Sequence, residues 1–318
     1  MTPSIDVIVP VHDHYELTRA CLEHLARQTA PHRVIVVDDG SSDGTPGRLR
    51  ADWPQVTVLS LGSNQGFSKA CNRGVQESSG EIVVLLNNDV DCRPDFLERL
   101  TGPLEDQTTV GSVAALMLQP GGERIDSIGL SADMTLAGFP RQQGKPLACA
   151  YDTSPALAGP AGTAAAYRRT AWEQVGGLDE TIFAYMEDFD LALRLRIAGW
   201  RSVTAPDAVG IHLGSATYGH RSAQQRRHGG FARGYLLRRY GVLRGRAAPR
   251  ALITEAIVVL GDLALSRDLA ALRGRVAGWR AAGQQPRSPR PPAEAIEPDI
   301  SLRESLALRR GVYGRRAV

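Results

Sequence analysis

The first half of the chain alternates short aliphatic, β-branched runs with segments in which apolar residues recur at helical spacing. The apolar runs that predict strands are Ile5–Val9, Val34–Val37, Val56–Leu61 and Ile82–Leu86. The segments that predict helices are Tyr15–Gln28 and Phe67–Ser79. Strands that alternate with helices of this length indicate right-handed βαβ units, and therefore an α/β fold with a mostly parallel central sheet flanked by helices.

The pattern changes after about residue 110. Short strands are predicted at Val113–Leu118, Ala164–Tyr167, Val203–Thr204 and Val209–His212, a loop-rich stretch at Pro140–Pro160, and a helix at Asp188–Ala198. Beyond residue 222 the predicted elements are a basic helix at Gln224–Tyr240, a packed or interfacial helix at Leu252–Leu265, and a proline-rich extended linker at Gln284–Pro298. We expect little order in the tail up to Val318.

Composition is that of a globular protein, but charge is unevenly distributed along it. Residues 1–220 contain 17 Lys+Arg and 27 Asp+Glu (−10), whereas residues 221–318 contain 20 Arg and 7 Asp+Glu (+13), which gives the net +3. We therefore divide the chain into a domain at 1–220 with halves at about 1–110 and 111–220, a basic helical extension at 221–283, and a Pro/Arg-rich linker and tail at 284–318. The basic region suits an anionic partner, although solvated arginines explain it as well.

Cysteine usage and hydropathy bound the cellular context. The four cysteines form no CxxC pair, which argues against a zinc knuckle or a redox motif. No secretory signal is expected from the N-terminal residues, and no apolar run approaches about 18 residues, so we expect no transmembrane helix. The prediction is a cytoplasmic protein.

The run Ile82–Leu86 leads into Asn87-Asn88-Asp89-Val90-Asp91. Parallel strands carry their chemistry at their C-terminal ends, and acids spaced i, i+2 there can bind a hard divalent cation that serves a diphosphate. A turn in which Asn and Asp only bond the local backbone is the alternative.

Two further strand ends are predicted at the same edge of the sheet. Strand one ends in Pro10-Val11-His12, and strand two in Asp38-Asp39-Gly40, where a carboxylate can accept hydrogen bonds from a base or a ribose. A polar turn is again the alternative. The chain has no GxGxxG after strand one and no GxxxxGK[ST], which disfavours a dinucleotide dehydrogenase and a P-loop NTPase.

A third group of acids, Glu187, Asp188 and Asp190, lies at the start of a predicted helix, and His212 ends a later apolar run. The helix dipole favours acids at this position regardless of function. A functional interpretation makes one carboxylate a general base and gives another a contact with an acceptor or a basic side chain.

Seven segments taken together resemble inverting glycosyltransferases of the GT-A fold, a large bacterial family that includes rhamnosyltransferases and surface-glycan synthases. The segments are Val7-Ile8-Val9-Pro10-Val11-His12, Val36-Val37-Asp38-Asp39-Gly40-Ser41, Asn64-Gln65-Gly66-Phe67, Leu86-Asn87-Asn88-Asp89, Gly176-Gly177-Leu178-Asp179-Glu180, Tyr185-Met186-Glu187-Asp188-Phe189-Asp190-Leu191 and His212-Leu213-Gly214-Ser215. The resemblance covers about residues 4–218.

The resemblance implies roles for individual residues. Asp188 is the catalytic base, with Glu187 and Asp190 contacting the acceptor or supporting the site. Asp89 and His212, with Asp91 as an additional ligand, hold Mg²⁺ or Mn²⁺. The residues implied in binding the nucleotide-sugar are Pro10, Val11, His12, Asp39, Asn64, Gly66, Asn87 and Asn88. This chain departs from the family's DxD motif, because its first acid is Asn87.

The implied reaction moves a sugar, with inversion, from a UDP- or dTDP-sugar to a hydroxyl of a glycan, a lipid-linked molecule or a small molecule. An anionic membrane surface at the inner face is a further expected partner, reached through the basic extension. Two alternatives remain. A nucleotidyltransferase would release pyrophosphate, but the chain lacks its Gly-rich basic loop. A binding module would use the Arg-rich region on a membrane or on nucleic acid, the latter disfavoured because aromatic residues are only 6%.

Overall fold

The computed structural model describes residues 3–214 and 222–314. Its strands are β1 Ile5–Val11, β2 Arg33–Asp38, β3 Thr57–Ser60, β4 Ile82–Leu86, β5 Val90–Cys92, β6 Val110–Leu118, β7 Ile125–Ser127, β8 Leu130–Ala132, β9 Gly138–Pro140, β10 Ala164–Arg168 and β11 Arg201–His212. Its α-helices are α1 Tyr15–Leu25, α2 Thr45–Asp52, α3 Phe67–Glu77, α4 Phe96–Asp106, α5 Arg169–Val175, α6 Glu187–Ile197, α7 Ala223–Arg239, α8 Ala248–Ser266, α9 Ala270–Ala281 and α10 Leu302–Gly314.

A single nine-stranded sheet forms the centre of the fold, in the order β3-β2-β1-β4-β10-β6-β11-β5, with β7 on β6. The strands of the first half pair in parallel, as predicted. In the second half β10 runs antiparallel to both β4 and β6, so the sheet as a whole is mixed. The strands β8 and β9 form a separate hairpin.

Both faces of the sheet are covered, which explains why the strands are apolar at consecutive positions rather than at alternate ones. Val7 and Val9 pack on one face with α1 and α4. Ile8 packs on the other with α3 and α6. Because side chains alternate along a strand, a two-sided core needs apolar residues on both sides of the pleat.

Several sequence expectations need correction. The two closing strands predicted at 203–204 and 209–212 are one strand, β11, whose register shifts between Ala205 and Val209. The tail is not without order, because α10 forms there and Ser305 on it is buried. The predicted domain boundary near 220 and Ser215 of the last quoted motif lie outside the described residues.

The C-terminal helices pack on the rest of the chain. Tyr240 lies in one apolar cluster with Phe189 and Leu193 of α6. The helices α7 and α9 contact each other through glycines: a Cβ at Gly230, Gly234, Gly274 or Gly278 would lie 1.9–2.4 Å from a carbonyl oxygen of the facing helix. None of the helices in the described part of the chain has the length and hydropathy required to cross a bilayer.

Candidate functional site

The loops that follow β1 and β2 are bound to each other by hydrogen bonds. The Asp13 amide donates to Ser41 Oγ (2.7 Å), and the Ser42 amide donates to Asp13 Oδ1 (2.7 Å). Asp13 and His14 both adopt left-handed backbone conformations (φ 59° and 63°). Two consecutive residues in this region cost free energy, and such conformations cluster at ligand-binding sites.

Asp39 holds the loop that precedes α3. Its carboxylate accepts hydrogen bonds from the amides of Gln65 (2.6 Å) and Gly66 (2.8 Å), and its side chain is buried. His12 Nδ1 lies 2.9 Å from the Asp39 carbonyl oxygen, and the Asp39 amide donates to the Val11 carbonyl. Val11, His12, Asp39 and Gly66, four of the residues predicted to bind the nucleotide-sugar, therefore lie together, but the Asp39 carboxylate is engaged in organising a loop. That second function was not foreseen from the sequence.

Gly66, directly before α3, lies against the loop that precedes α6. Its φ is +93°, and a Cβ at this position would lie 2.5 Å from the Phe183 carbonyl oxygen. Only glycine combines this backbone conformation with so close an approach. The neighbouring Asn64, also predicted to bind donor, has an exposed side chain.

The three residues after β4 point in different directions. The Asn87 amide donates to the Thr163 carbonyl (2.9 Å), and Asn88 Nδ2 donates to Thr18 Oγ1 on α1 (3.0 Å). Asn88 is therefore turned towards α1. Among the described residues, Asn87 Oδ1 and Asp89 Oδ1 are buried without a hydrogen-bond partner. Buried oxygens of this kind are the ligands that a hard cation prefers.

His212, at the end of β11, lies between two carboxylates. Its Nε2 is 3.4 Å from Asp89 Oδ2, and its Nδ1 is 2.8 Å from Asp126 Oδ2. Burial lowers the pKa of the imidazole, but the hydrogen bonds to Asp126 and Asp89 and their charges outweigh it and raise the pKa to about 10. Sequence reasoning missed Asp126, because its approach to His212 depends on the β6–β7 pairing.

Asp91 does not join this cluster. Its Oδ1 lies 3.5 Å from His24 Nε2, on α1. Within the described residues, no three His, Cys, Asp or Glu side chains are arranged to hold a metal by themselves. Asp89 nevertheless offers a carboxylate, and His212, once a cation displaces the proton from Nε2, offers an imidazole whose second nitrogen is fixed by Asp126, as is typical of metal-binding histidines. These donors fit a divalent cation that completes its coordination on a ligand.

Glu187 and Asp188 begin α6, directly after a second pair of left-handed residues, Tyr185 and Met186 (φ 70° and 67°). Asp188 accepts hydrogen bonds from the Gly162 amide at Oδ2 (2.8 Å) and from the Phe189 amide at Oδ1 (2.7 Å). Its position is therefore fixed by backbone groups on both oxygens.

The two neighbouring carboxyls influence each other's ionisation. Burial raises the pKa of Asp188, and the two backbone donors partly offset this. Burial and the charge of Asp188 raise the pKa of Glu187 to about 8. In the described part of the chain Glu187 Oε2 is buried with no hydrogen-bond partner. The two amide donors thus favour the charged form of Asp188, whereas burial without a donor favours the neutral form of Glu187.

Backbone pairing at one edge of the sheet brings the acids of the two halves together. Because β10 pairs antiparallel with β4, the residues before β10 adjoin those after β4. Gly162 there binds Asp188, and Thr163 binds Asn87, two residues before Asp89. The parallel pairing of β1 with β2 and β4 puts the ends of these strands at one edge, as predicted, and the contacts of Gly162 and Thr163 add Asp188 to that edge.

Asp190 has a different environment. Its carboxylate accepts hydrogen bonds from Arg194 Nε (2.7 Å) and the Tyr240 hydroxyl (2.8 Å), and the residue is fully buried. Of the two roles considered for it, these contacts favour support of the site, because they tie α6 to the end of α7.

Comparison with known proteins identifies the family. Residues 6–176 match the model of glycosyl transferase family 2, and residues 149–273 match glycosyl transferase family group 2. An N-acetylglucosaminyl-diphospho-decaprenol L-rhamnosyltransferase of Mycobacterium tuberculosis is 31% identical over 204 residues, which are 57% of this chain and 66% of that protein. The O-antigen biosynthesis protein RfbC of Myxococcus xanthus is 29% identical over 227 residues, 68% of this chain and 18% of that protein. The chain thus spans less than two thirds of these relatives.

Solved structures support the fold. A mannosyltransferase of Pyrobaculum calidifontis, in complex with GDP-Man and Mn²⁺, superposes with a TM-score of 0.53 at 22% identity, over 98% of this chain and 80% of that one. GalNAc-T7 with UDP, GalNAc and Mn²⁺ superposes with a TM-score of 0.60 at 12% identity, over 89% and 56% of the two chains. From the matched family model and this architecture, the chain belongs to glycosyl transferase family 2 and has the GT-A fold.

Proposed function

We propose that this protein transfers a sugar from a nucleoside-diphosphate sugar, a UDP- or dTDP-sugar, to an acceptor hydroxyl with inversion of the anomeric centre. The observation that carries the proposal is the placement of a backbone-anchored carboxylate, Asp188, along the same sheet edge as the Asp89–His212 pair. One carboxylate in that position can accept a proton while the opposite side of the site holds a diphosphate. The names of a relative, a rhamnosyltransferase, and of a structural neighbour, a mannosyltransferase, describe sugar transfer as well.

We propose that Asp89 and His212 hold a divalent cation, Mg²⁺ or Mn²⁺, with Asp126 orienting the imidazole through Nδ1. Such a cation would supply charge neutralisation on the departing diphosphate. The buried Oδ1 atoms of Asp89 and Asn87, which have no hydrogen-bond partner in the described residues, support a cation at this position. Asp91 is left out of the proposed site, because its carboxylate pairs with His24.

Asp188 acts in this proposal as the general base. The amides of Gly162 and Phe189 hold its carboxylate in one orientation and favour its charged form. The carboxylate takes the proton of the acceptor hydroxyl as the oxygen attacks the anomeric carbon, and the nucleoside diphosphate leaves from the opposite face. A single displacement inverts that carbon.

The remaining residues orient the substrates. Asp39 keeps the Gln65–Gly66 loop against the donor side, with its unused lone pairs available to the nucleotide. Glu187, neutral at pH 7, offers a carboxyl to the acceptor. The acceptor is a glycan, a lipid-linked molecule or a small molecule, and we place the protein in the cytoplasm at the inner face of the membrane, in polysaccharide biosynthesis.

A panel of nucleotide-sugars tests the reaction. Incubation with Mn²⁺ and each donor should release nucleoside diphosphate from one of them, faster when an acceptor is added, and chelation should stop it. Release of pyrophosphate from a nucleoside triphosphate and a sugar phosphate would instead support a nucleotidyltransferase. Failure of every donor with and without metal, in a folded protein, would contradict the proposal.

A further inference from the structure

The outer surface of α8 and α9 is apolar along its whole length. The side chains that form this apolar face are 36–73% exposed: Leu252, Ile253, Ile257, Leu260, Leu263, Leu265, Leu269, Leu272, Val276 and Trp279. They include most of the large exposed hydrophobic residues of the described chain. Soluble monomers rarely expose a contiguous patch of this kind, so the face is expected to meet an apolar environment.

The polarity of α8 is reversed relative to a helix that faces water. Its charged residues point inward: Glu255 binds Arg233, Arg275 and Arg309, and Asp262 pairs with Arg226. The carboxylate of Glu255 is buried, and the charges of these arginines hold its pKa well below its usual range against the effect of burial. The side of α8 turned outward is consequently the apolar side.

The charges that border the apolar face have one sign. Between residues 244 and 281 the charged residues most exposed to solvent are all arginines: Arg244, Arg246, Arg267, Arg273 and Arg280. The acids in this stretch, Glu255, Asp262 and Asp268, are paired with arginines of the protein. An apolar surface bordered by cations matches the headgroup region of an anionic bilayer.

We propose that the apolar face lies flat in the interface of an anionic membrane, with the bordering arginines on the lipid phosphates. The helix α8 is amphipathic rather than apolar all round, because Arg250, Glu255 and Asp262 have partners inside the protein. It therefore suits the plane of the interface and not a span. Arginine side chains bury their stems beside apolar residues while the guanidinium stays at the headgroups.

A bilayer fits this face better than a second copy of the chain does. A two-fold interface places the same patch of both copies in contact. Here that contact would set the five arginines of one copy near the five of the other, and the acids of the stretch are already paired with arginines of their own copy. Like charges facing each other oppose association.

The inference deepens the proposed membrane attachment, on which it rests, by naming the surface that binds. It also fixes how that surface relates to the site. The helix α7, which packs on α9, stacks His228 on Phe183 (centroids 4.8 Å apart) and binds Asp179 through the Tyr235 hydroxyl. Binding through the apolar face thus holds the loop that precedes α6, and with it the proposed base Asp188, at a set position relative to the lipid surface.

Vesicle flotation of the full chain tests the proposal. The protein should float with vesicles of phosphatidylglycerol and phosphatidylcholine, and Leu260→Asp/Leu265→Asp should reduce the bound fraction at least tenfold. These leucines are 64% and 73% exposed, so the melting temperature should not change. Leu147→Asp is the matched control, because Leu147 is 42% exposed but does not belong to the apolar face of α8 and α9. This variant should bind vesicles like the wild type.

The electrostatic part has its own variant. Arg267→Ala/Arg273→Ala/Arg280→Ala should weaken binding to anionic vesicles by about fivefold per arginine and should have little effect on binding to phosphatidylcholine alone. Equal flotation of the wild type and the leucine variant would overturn the proposal. So would a wild type that binds no vesicles but self-associates, if the leucine variant abolishes that self-association. Sugar transfer without vesicle binding would refute only this inference, whereas vesicle binding without transfer would refute only the proposed reaction.

Discussion

Neutralising the two carboxyls at the start of α6 should reduce sugar transfer to very different extents. Asp188→Asn removes the more readily ionised carboxylate, and we expect sugar transfer to fall by about 10²–10⁴-fold, the usual contribution of a positioned base. Glu187→Gln replaces a carboxyl whose pKa is raised to about 8 with a neutral isostere, so at pH 7 transfer should fall less than tenfold.

Asp188→Asn should also lower the free energy of unfolding, because Asp188 is bound to two backbone amides. The Asp188 oxygens accept one amide each, from Gly162 and Phe189. An asparagine keeps one acceptor and turns an NH₂ group towards the other amide, which costs about 1–3 kcal/mol. That lowers the melting temperature by a few degrees and leaves the protein folded, so the loss of transfer is not a loss of structure.

The pH dependence gives a second readout for Glu187. Because its folded-state pKa is about 8, above the ordinary 4.5, the folded protein holds this proton more tightly than the unfolded chain does. The stabilisation is complete below about pH 4.5 and is lost as the pH rises through 8. Thermal melts of the wild type should therefore lose stability across this window, and Glu187→Gln should lose less.

The assay measures nucleoside diphosphate release with acceptor present, beside titration calorimetry of the nucleotide with Mn²⁺. Both variants should bind nucleotide within about threefold of the wild type, since neither carboxyl belongs to the proposed donor side. Normal turnover of Asp188→Asn, or a greater loss of transfer in Glu187→Gln than in Asp188→Asn at pH 7, would refute these roles.

Three further variants address the donor side and the scaffold. Asp89→Asn should abolish the Mn²⁺-dependent part of nucleotide binding in calorimetry without changing the melting temperature by more than a few degrees; unchanged binding would remove it from the metal site. Gly66→Ala should lower the free energy of unfolding in denaturant by more than about 2 kcal/mol, because the new Cβ would lie 2.5 Å from the Phe183 carbonyl oxygen. Its control, Gly62→Ala, has open space around the new Cβ and should lose only about 1 kcal/mol for the left-handed backbone. Equal losses in the two variants would contradict the steric explanation. Asp190→Asn should destabilise by about 3–5 kcal/mol, since it leaves a buried arginine of α6 without its charge partner, and a melting curve like that of the wild type would exclude this.

Part of the site could be predicted from the chain because local patterns determine it. Apolar runs that end in polar residues placed the end of β4 correctly and the ends of β1 and β2 within two residues, and the acids beside them follow from position alone. The helix that begins at Glu187 was predicted within one residue by the same reasoning. Such signals are local, because the periodicity of a strand or a helix is a property of residues that are consecutive in the chain.

Other parts depended on pairing between distant segments. Asp126 reaches His212 only because β7 folds back on β6, and Asp188 meets Gly162 because β10 pairs with β4. Nothing in the residues around Asp126 marks it as a partner of a histidine 86 positions away. The contacts of Asp91 with His24 and of Asn88 with Thr18 likewise depend on tertiary structure, because both partners are on α1.

The sequence by itself determined the strand–helix alternation, the apolar two-sided sheet and the position of most acids at strand and helix ends, because each depends on residues close together in the chain. Tertiary structure alone decided which oxygens are left without partners, which carboxyl of the Glu187–Asp188 pair ionises, and which side of α8 is turned outward. These properties depend on burial and on charges brought close by folding, and a linear pattern specifies neither.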